Sequence, residues 1–403
     1  MNPLPITDYT LSTALGAGLQ VNRQKLFAGD SGLAACRFAD IDDLSTWVGE
    51  TAGVDSVALP AQLADFNCRN NRLAWLGLQQ DDFQRSVAAA AKRYGSDRVA
   101  VFMGTSTSGI HQTELAYREL TTDDTQQQSL PSWYCYRGTH NTYSIAEFTR
   151  RALGLNGISS AISTACSSSA KVFASAYRAI AAGLCDAAVV GGVDSLCLTT
   201  LYGFNSLQLV AADICRPSDA NRNGLSIGEA AGFALLEKSA DHNGLCLLGY
   251  GESSDAYHMS SPHPDGEGAL QAMRAALTAA HLQPDAIDYI NLHGTGTASN
   301  DLAESIAVDR LFGEQIPCSS TKGWTGHTLG AAGIVETVFS LLCIDNNFMP
   351  RTLNTQQVDT DIAINILLSN RQQTVNRVLT NSFGFGGSNC SLLLGTADAG
   401  AAL

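Results

Sequence analysis

Apolar runs and polar breaks alternate along the whole chain, and their lengths separate strands from helices. Leu73, Leu76, Leu78, Phe83 and Val87, with a run of alanines behind them, predict helix over residues 65–93. Residues 98–103 form a short buried strand ending at Gly104, and 155–162 is a strand or strand approach ended by small polar residues. Val172, Phe173, Ala176, Tyr177 and Ile180 recur at helical spacing, with Gly183 as the stop. Buried strands follow at 187–194 and 231–237. After the polar stretch 238–244 the alternation repeats, with strand at 245–249, helix at 269–280, strand at 289–292, helices at 301–311 and 330–344, and strands at 377–381 and 390–394. This predicts an α/β chain of two pseudo-repeated halves, 1–240 and 241–403, sharing one core. Residues 105–142 are polar, centred on 121–128, and are expected to run over the surface or across an interface.

Composition sharpens this picture. At 403 residues, with 45% hydrophobic and 15% charged, the chain can bury a large core. A net charge of −14 argues against general nucleic-acid binding. The N-terminus lacks a signal-peptide pattern, and the apolar run 332–344 is interrupted by Glu336 and too short to cross a bilayer, so a soluble, cytoplasmic protein with no membrane association is expected. Eleven cysteines without C-x-x-C spacing point to reduced thiols.

The chemistry-bearing stretches lie at the ends of apolar runs. Ser163-Thr164-Ala165-Cys166-Ser167-Ser168-Ser169-Ala170 places a thiol where a strand becomes a helix, and a helix N-terminus favours the thiolate. The alternative is a small core cysteine. His293-Gly294-Thr295-Gly296-Thr297 follows the strand at 289–292. Residues 320–333 hold Lys322 and His327 before a helix carrying Glu336, and Gly384-Phe385-Gly386-Gly387 lies between two strands. A further polar stretch, 255–262, includes Asp255, Tyr257 and His258. Either histidine alone also reads as structural. A metal site is not expected, since His293 and His327 are far apart and outside any metal-ligand spacing. The glycines of 384–387 precede a strand and lack G-x-G-x-x-G, so they are no dinucleotide loop.

In this order, the T-A-C-S-S turn, H-G-T-G-T, the K-x-x-x-G-H loop with its glutamate, and G-F-G-G-S-N resemble the elongating β-ketoacyl-acyl-carrier-protein synthases of the thiolase superfamily. The resemblance runs from about Gly104 to Asn389 and implies a thiolase-like five-layer α/β/α/β/α fold, acting as a homodimer or as a heterodimer with a homologous subunit. It implies that Cys166 forms an acyl thioester with a chain delivered on acyl carrier protein, and that the Cys166 and Phe385 amides form the oxyanion hole. His293 and His327, as neutral imidazoles, would stabilise the enolate left when malonyl-carrier protein loses carbon dioxide, and that enolate would extend the chain by two carbons. Lys322 would orient the site with Glu336, and Thr295 and Thr297 would hold the pantetheine arm. Phe385 would gate the acyl pocket with Gly384, Gly386, Gly387 and the loop of Asp255, Tyr257 and His258. No cofactor is implied beyond the carrier's phosphopantetheine.

Arg69 and Arg72 lie near where relatives carry carrier-docking residues, although solvated arginines are the plainer explanation. Leu225 stands in a run, 223–229, where many relatives have phenylalanine, and 105–142 is shorter than usual. Both departures point to a specialised fatty-acid or polyketide synthase, such as one building aryl polyenes. The alternatives are a thiolase-type acyl transferase, which would need a C-terminal C-x-G motif, and a chain-length partner subunit, which would lose the nucleophile.

Overall fold

The computed structural model describes residues 1–40, 43–123, 126–238 and 244–396. Ten main strands build two sheets. The first holds β1 (Leu4–Thr13), β2 (Val99–Gly104), β3 (Ser159–Ile162), β4 (Ala187–Asp194) and β5 (Ala230–Glu237), in spatial order β3-β2-β4-β5-β1. The second holds β6 (Leu245–Ser254), β7 (Tyr289–Asn291), β8 (Cys318–Ser319), β9 (Arg377–Gly384) and β10 (Ser388–Thr396), in order β8-β7-β9-β10-β6. In each sheet the first strand of the half pairs antiparallel with the fifth, the fifth antiparallel with the fourth, and the fourth parallel with the second, which pairs parallel with the third. The topology therefore repeats where sequence identity is too weak to show it. A short antiparallel contact, Leu4 opposite Leu247 and Pro5 opposite Cys246, joins the sheets edge to edge.

Helices make the remaining three layers. α1 (Arg69–Leu78), α2 (Phe83–Tyr94) and α3 (Ser144–Ala152) cover the outer face of the first sheet, around Phe83, Val87, Phe148 and Phe233. α5 (Glu267–Ala280) and α6 (Ala298–Phe312) cover that of the second. Between the sheets lie α4 (Ser168–Ala181) and α7 (Ala332–Asn346). Because both faces are covered, β2, β4 and β5 are buried at every position, which explains their unbroken apolar sequences. The stretch Leu329–Asn346 is long and apolar enough to cross a membrane, but 89% of it is buried in the core.

Several expectations need correction. The helix over 65–93 is two helices, broken where Asp81 and Asp82 take left-handed φ values of 55° and 59°. There the Asp81 carboxylate accepts the Leu19 amide at 2.9 Å and the Thr10 hydroxyl at 2.8 Å, tying the break to the edge of β1. The polar segment carries a helix, Ile110–Arg118, and a two-residue hairpin, with Tyr117, Trp133 and Tyr136 exposed. Residues 124 and 125 of that segment, and 239–243 of the stretch separating the halves, lie outside the described residues.

Arg69 is no docking residue. Its side chain is 5% exposed, and its guanidinium donates to Glu229 (3.0 and 2.7 Å), Asp55 (2.7 Å) and Glu50 (2.9 Å). Glu229, fully buried, also accepts the amides of Thr51 and Leu196, so the pair clamps α1 to the end of β5. Removing one partner of a buried pair costs about 3–5 kcal/mol. Arg69→Ala should therefore lower the chemical-denaturation stability by that order, while Arg72→Glu, at a half-buried position, should change it by no more than about 0.5 kcal/mol. An unchanged midpoint in Arg69→Ala would show that the clamp does not hold the fold.

Candidate active site

The turn that carries Cys166 is built from small residues. After β3, Ala165 takes a left-handed φ of 53°, and Cys166 then precedes Ser167 and the start of α4. The Thr164 amide donates to Ser168 Oγ at 2.9 Å, and Ser106 Oγ donates to the Ala165 carbonyl at 3.1 Å. The layers close tightly around this turn. A Cβ on Gly104 would lie 2.4 Å from the Ser169 nitrogen, and one on Gly333 would lie 2.4 Å from the Ala170 nitrogen. Gly104 and Gly333 are therefore a packing requirement of this turn.

Beneath the turn, Asp194 ends β4 as a fully buried carboxylate. It accepts the hydroxyls of Thr105 (2.6 Å) and Thr107 (2.9 Å) and the amides of Ser106, Thr107 and Gly330. Burial nonetheless pushes its pKa up. It fastens the first half to the loop carrying His327. The sequence signal was an acidic residue closing an entirely apolar run, since a buried carboxylate must find donors.

From the second half come the two imidazoles. His327 Nε2 lies 2.9 Å from Cys166 Sγ, and the His293 and His327 rings meet edge-on at 5.2 Å. Lys322 Nζ donates to the His293 carbonyl and to Glu336, and lies 3.4 Å from His293 Nδ1. An ammonium has no lone pair, so Nδ1 must be the acceptor and the ring proton sits on Nε2. Burial, reinforced by the Lys322 charge, holds both imidazoles well below the ordinary histidine range. Both are neutral. His327 Nδ1 has no partner among the described residues, so its tautomer is unfixed and Nε2 can either accept or donate. Burial raises Glu336 to about 7 against the pull of Lys322. Glu304, which the sequence did not single out, accepts the His293 and Gly294 amides at 2.8 Å each and the Asn381 side chain at 3.0 Å, and burial raises it too to about 7.

Cys166 corrects one expectation. Burial pushes the thiol up to about 12, outweighing the Lys322 charge and the Phe385 amide that donates to the sulfur. Desolvation is the largest influence on its protonation. The thiol and two imidazoles, distant in sequence, have ligand atoms within 4.8 Å of one another. This is a soft donor set that a metal could use, but the Lys322 ammonium beside it opposes a dication.

Above the thiol, a cleft with about 550 Å³ of space free of atoms is lined by apolar Phe204, Leu209, Leu225 and Phe385 and by polar Thr295, Thr297, Ser299 and Asn300. Thr295 and Thr297 hydroxyls pair at 2.9 Å. Phe385 is flanked by Gly384, whose Cβ would meet the Thr164 carbonyl at 2.7 Å, and Gly386, at φ 79°. The Gly386 amide donates to the Met259 carbonyl and the Asp255 amide to the Gly387 carbonyl, joining the two loops. Asp255 lines the cleft and accepts Asn389 Nδ2 at 2.7 Å. Tyr257 and His258 do not line it; they are exposed on the outer side of that loop.

With this geometry in view, comparisons place the chain. Residues 79–242 match the family model described as Beta-ketoacyl synthase, N-terminal domain, and 245–356 match Beta-ketoacyl synthase, C-terminal domain. The chain is similar to 3-oxoacyl-[acyl-carrier-protein] synthase 2 of Rhizobium meliloti, at 41% identity over 258 residues, 60% of this chain and 61% of that protein; the match thus spans less than two thirds of the relative. Among solved structures, it superposes on the ketosynthase ApeO from Xenorhabdus doucetiae, solved in complex with its chain length factor ApeC, with a TM-score of 0.88, 36% identity and 98% of each chain covered. It also superposes on the ishigamide ketosynthase/chain length factor, with a TM-score of 0.86, 25% identity, and 98% of this chain and 99% of that one covered. The chain belongs to the β-ketoacyl synthase family, with the thiolase-like fold.

Proposed function

We propose that this protein condenses an acyl chain with a malonyl unit, both delivered on acyl carrier protein, extending the chain by two carbons. The observation that carries this is the meeting of Cys166 Sγ, the His327 imidazole at 2.9 Å and His293 beneath one cleft, with the Phe385 amide donating to the sulfur. Because the free thiol is protonated, attack on the acyl thioester needs a proton acceptor, and His327 Nε2 is in place to take it. The oxyanion is held by the Cys166 and Phe385 amides. As it collapses, the pantetheine thiol leaves with the proton from His327, and the acyl chain stays on Cys166.

Malonyl-carrier protein then enters along Thr295 and Thr297. His293, with its Nε2 proton fixed by Lys322, donates to the malonyl thioester carbonyl, and so does His327 once solvent exchange has moved its ring proton from Nδ1 to Nε2. The carbon–carboxylate electron pair moves into the enolate as carbon dioxide leaves, and the enolate carbon attacks the acyl thioester. The new C–C bond forms, Cys166 departs as thiolate and takes up one proton from solvent, which replaces the one that left with the pantetheine thiol, and no bound cofactor takes part. A thiolase reading is disfavoured because Cys390 is fully buried and does not line the cleft. A non-catalytic subunit reading is disfavoured by the presence of Cys166, His293, His327 and Lys322 together.

The likeness to ketosynthases solved with chain length factors supports a heterodimer with a homologous subunit. Leu225 in the cleft wall, where an aromatic ring would narrow it, supports a specialised rather than a primary acyl substrate, of which a polyene is the one we favour. Carrier docking rests on Arg72 without Arg69.

Incubated with saturated and polyunsaturated acyl-carrier thioesters, alone and with its partner, the protein should gain the acyl mass; Cys166→Ala should not. An adduct persisting in that variant would assign another nucleophile. His293→Ala should slow malonyl decarboxylation about 100-fold or more while acylation of Cys166 falls less than about tenfold; equal losses would reduce it to shaping the site. As pH falls through the ordinary histidine value, a neutral form held by a lowered pKa persists. The imidazole NMR signals of His293 and His327 should accordingly show no titration between about pH 8 and pH 6. A midpoint near 6.5 for either would contradict the desolvated site.

A further inference from the structure

The Phe385 ring does not stand alone over the cleft. It stacks on Phe204, with centroids 5.4 Å apart and planes 27° from parallel. Any turn of the Phe385 ring must slide it off Phe204, so where Phe204 sits decides where the gate rests. Phe204 belongs to the nine-residue helix Leu198–Ser206, in which Leu201 is the buried residue, while Tyr202, Asn205 and Ser206 are exposed and Gly203 has open space at its Cβ position. Leu198, Leu201 and Phe204 pack on a small apolar cluster that includes Phe38 and Leu225, and the Tyr202 hydroxyl donates to Asp43, so few contacts hold this helix and each one counts.

A further anchor holds its N-terminal turn. Glu114, on the helix Ile110–Arg118, accepts the Leu198 amide at 3.1 Å, the Thr199 amide at 2.7 Å and the Thr199 hydroxyl at 2.6 Å. His111 Nδ1 lies 3.2 Å from the same carboxylate. Burial pushes the Glu114 pKa up, but the bonds from His111, Thr199 and Leu198 outweigh it and hold it at about 2, so the anchor is charged. The helix bearing Glu114 starts just after Thr107, whose amide and hydroxyl are bound by Asp194 beneath the nucleophile. A continuous set of contacts therefore runs from the floor of the site, through Glu114 and Phe204, to the ring over its mouth.

We propose that Glu114 is a positioning residue for the acyl gate, acting through the helix Leu198–Ser206 and Phe204 to set how readily Phe385 uncovers Cys166. The proposal rests on the condensing-enzyme reading for its substrate but not for its test. With the anchor neutralised, Phe204 no longer backs Phe385, the cleft opens without substrate, and discrimination between long and short acyl chains is lost.

The experiment measures alkylation of Cys166 by iodoacetamide, followed by intact mass, in the protein with its partner if they purify together. The variants are Glu114→Gln, Glu114→Asp, Phe204→Leu and the Glu114→Gln/Phe204→Leu double. Glu114→Gln and Phe204→Leu should each speed alkylation about threefold or more, and the double variant no more than the larger single effect, since both act on one link. Glu114→Asp should restore the slow rate, which a general loss of stability would not do. The ratio of long- to short-chain acylation rates should fall in parallel. Should Glu114→Gln fail to fold, Thr199→Val removes one anchoring bond and takes its place. Unchanged alkylation in Glu114→Gln, or effects that multiply in the double variant, would overturn the proposal. If no acyl thioester labels the wild type, the condensing-enzyme reading fails, while the alkylation rates still decide on Glu114.

Discussion

The reaction centre depends on one buried ion pair. Lys322 and Glu336 face each other at 2% side-chain exposure, deep between two sheets. Unpaired, either charge would be expelled or neutralised, and paired they allow a cation to sit where water cannot screen it. That cation does several things at once. It fixes the His293 proton on Nε2, holds the His293 carbonyl, reinforces the burial that keeps both imidazoles neutral and draws the Cys166 thiol down against the burial that raises it. In water at the same distances, screening would reduce each of these effects to a small fraction.

Such a pair can exist only where the fold excludes solvent from both sides, and the repeated topology provides this. Each half contributes one sheet and one central helix, and glycines, serines and alanines let α4 and α7 approach to backbone contact. The thiol comes from the first half and the imidazoles and lysine from the second, so the site forms only when the halves close. Asp194, bonded to the 105–107 turn of its own half and to Gly330 of the other, is the polar counterpart of that apolar contact.

Much of this was legible in the sequence. Strands buried on both faces announce themselves as unbroken apolar runs, and β4 matched its expected bounds. Cys166, His293, Lys322, His327 and Phe385 stood out because functional loops end apolar runs and carry glycines where close approach is needed. What could not be read depended on tertiary placement. Strand β1 was not assigned, because its Pro5 and scattered polar residues hide a strand buried along most of both faces, which only its place between β5 and β6 reveals. Arg69 looked like surface because arginine usually is; its partner Glu229 lies 160 residues away. Phe204 and Glu114 carry no local signal, since one matters by stacking on Phe385 and the other by capping a helix far along the chain.

The thiol's raised pKa bears on how the cleft must work. On the mechanism we propose, a preformed thiolate would react with any electrophile reaching it, whereas a thiol buried beside a neutral imidazole would be reactive only while a proton can move to His327 and an oxyanion is held by the Phe385 amide. Both conditions are met when a thioester carbonyl occupies the cleft with Phe385 suitably placed. In that mechanism the same residue supplies a backbone donor to the reaction and a side chain to the entrance, with ring and amide three bonds apart. Access and activation are coupled through Phe385. The desolvation that makes the resting thiol inert also makes the moment of acylation depend on how the surrounding loops are held.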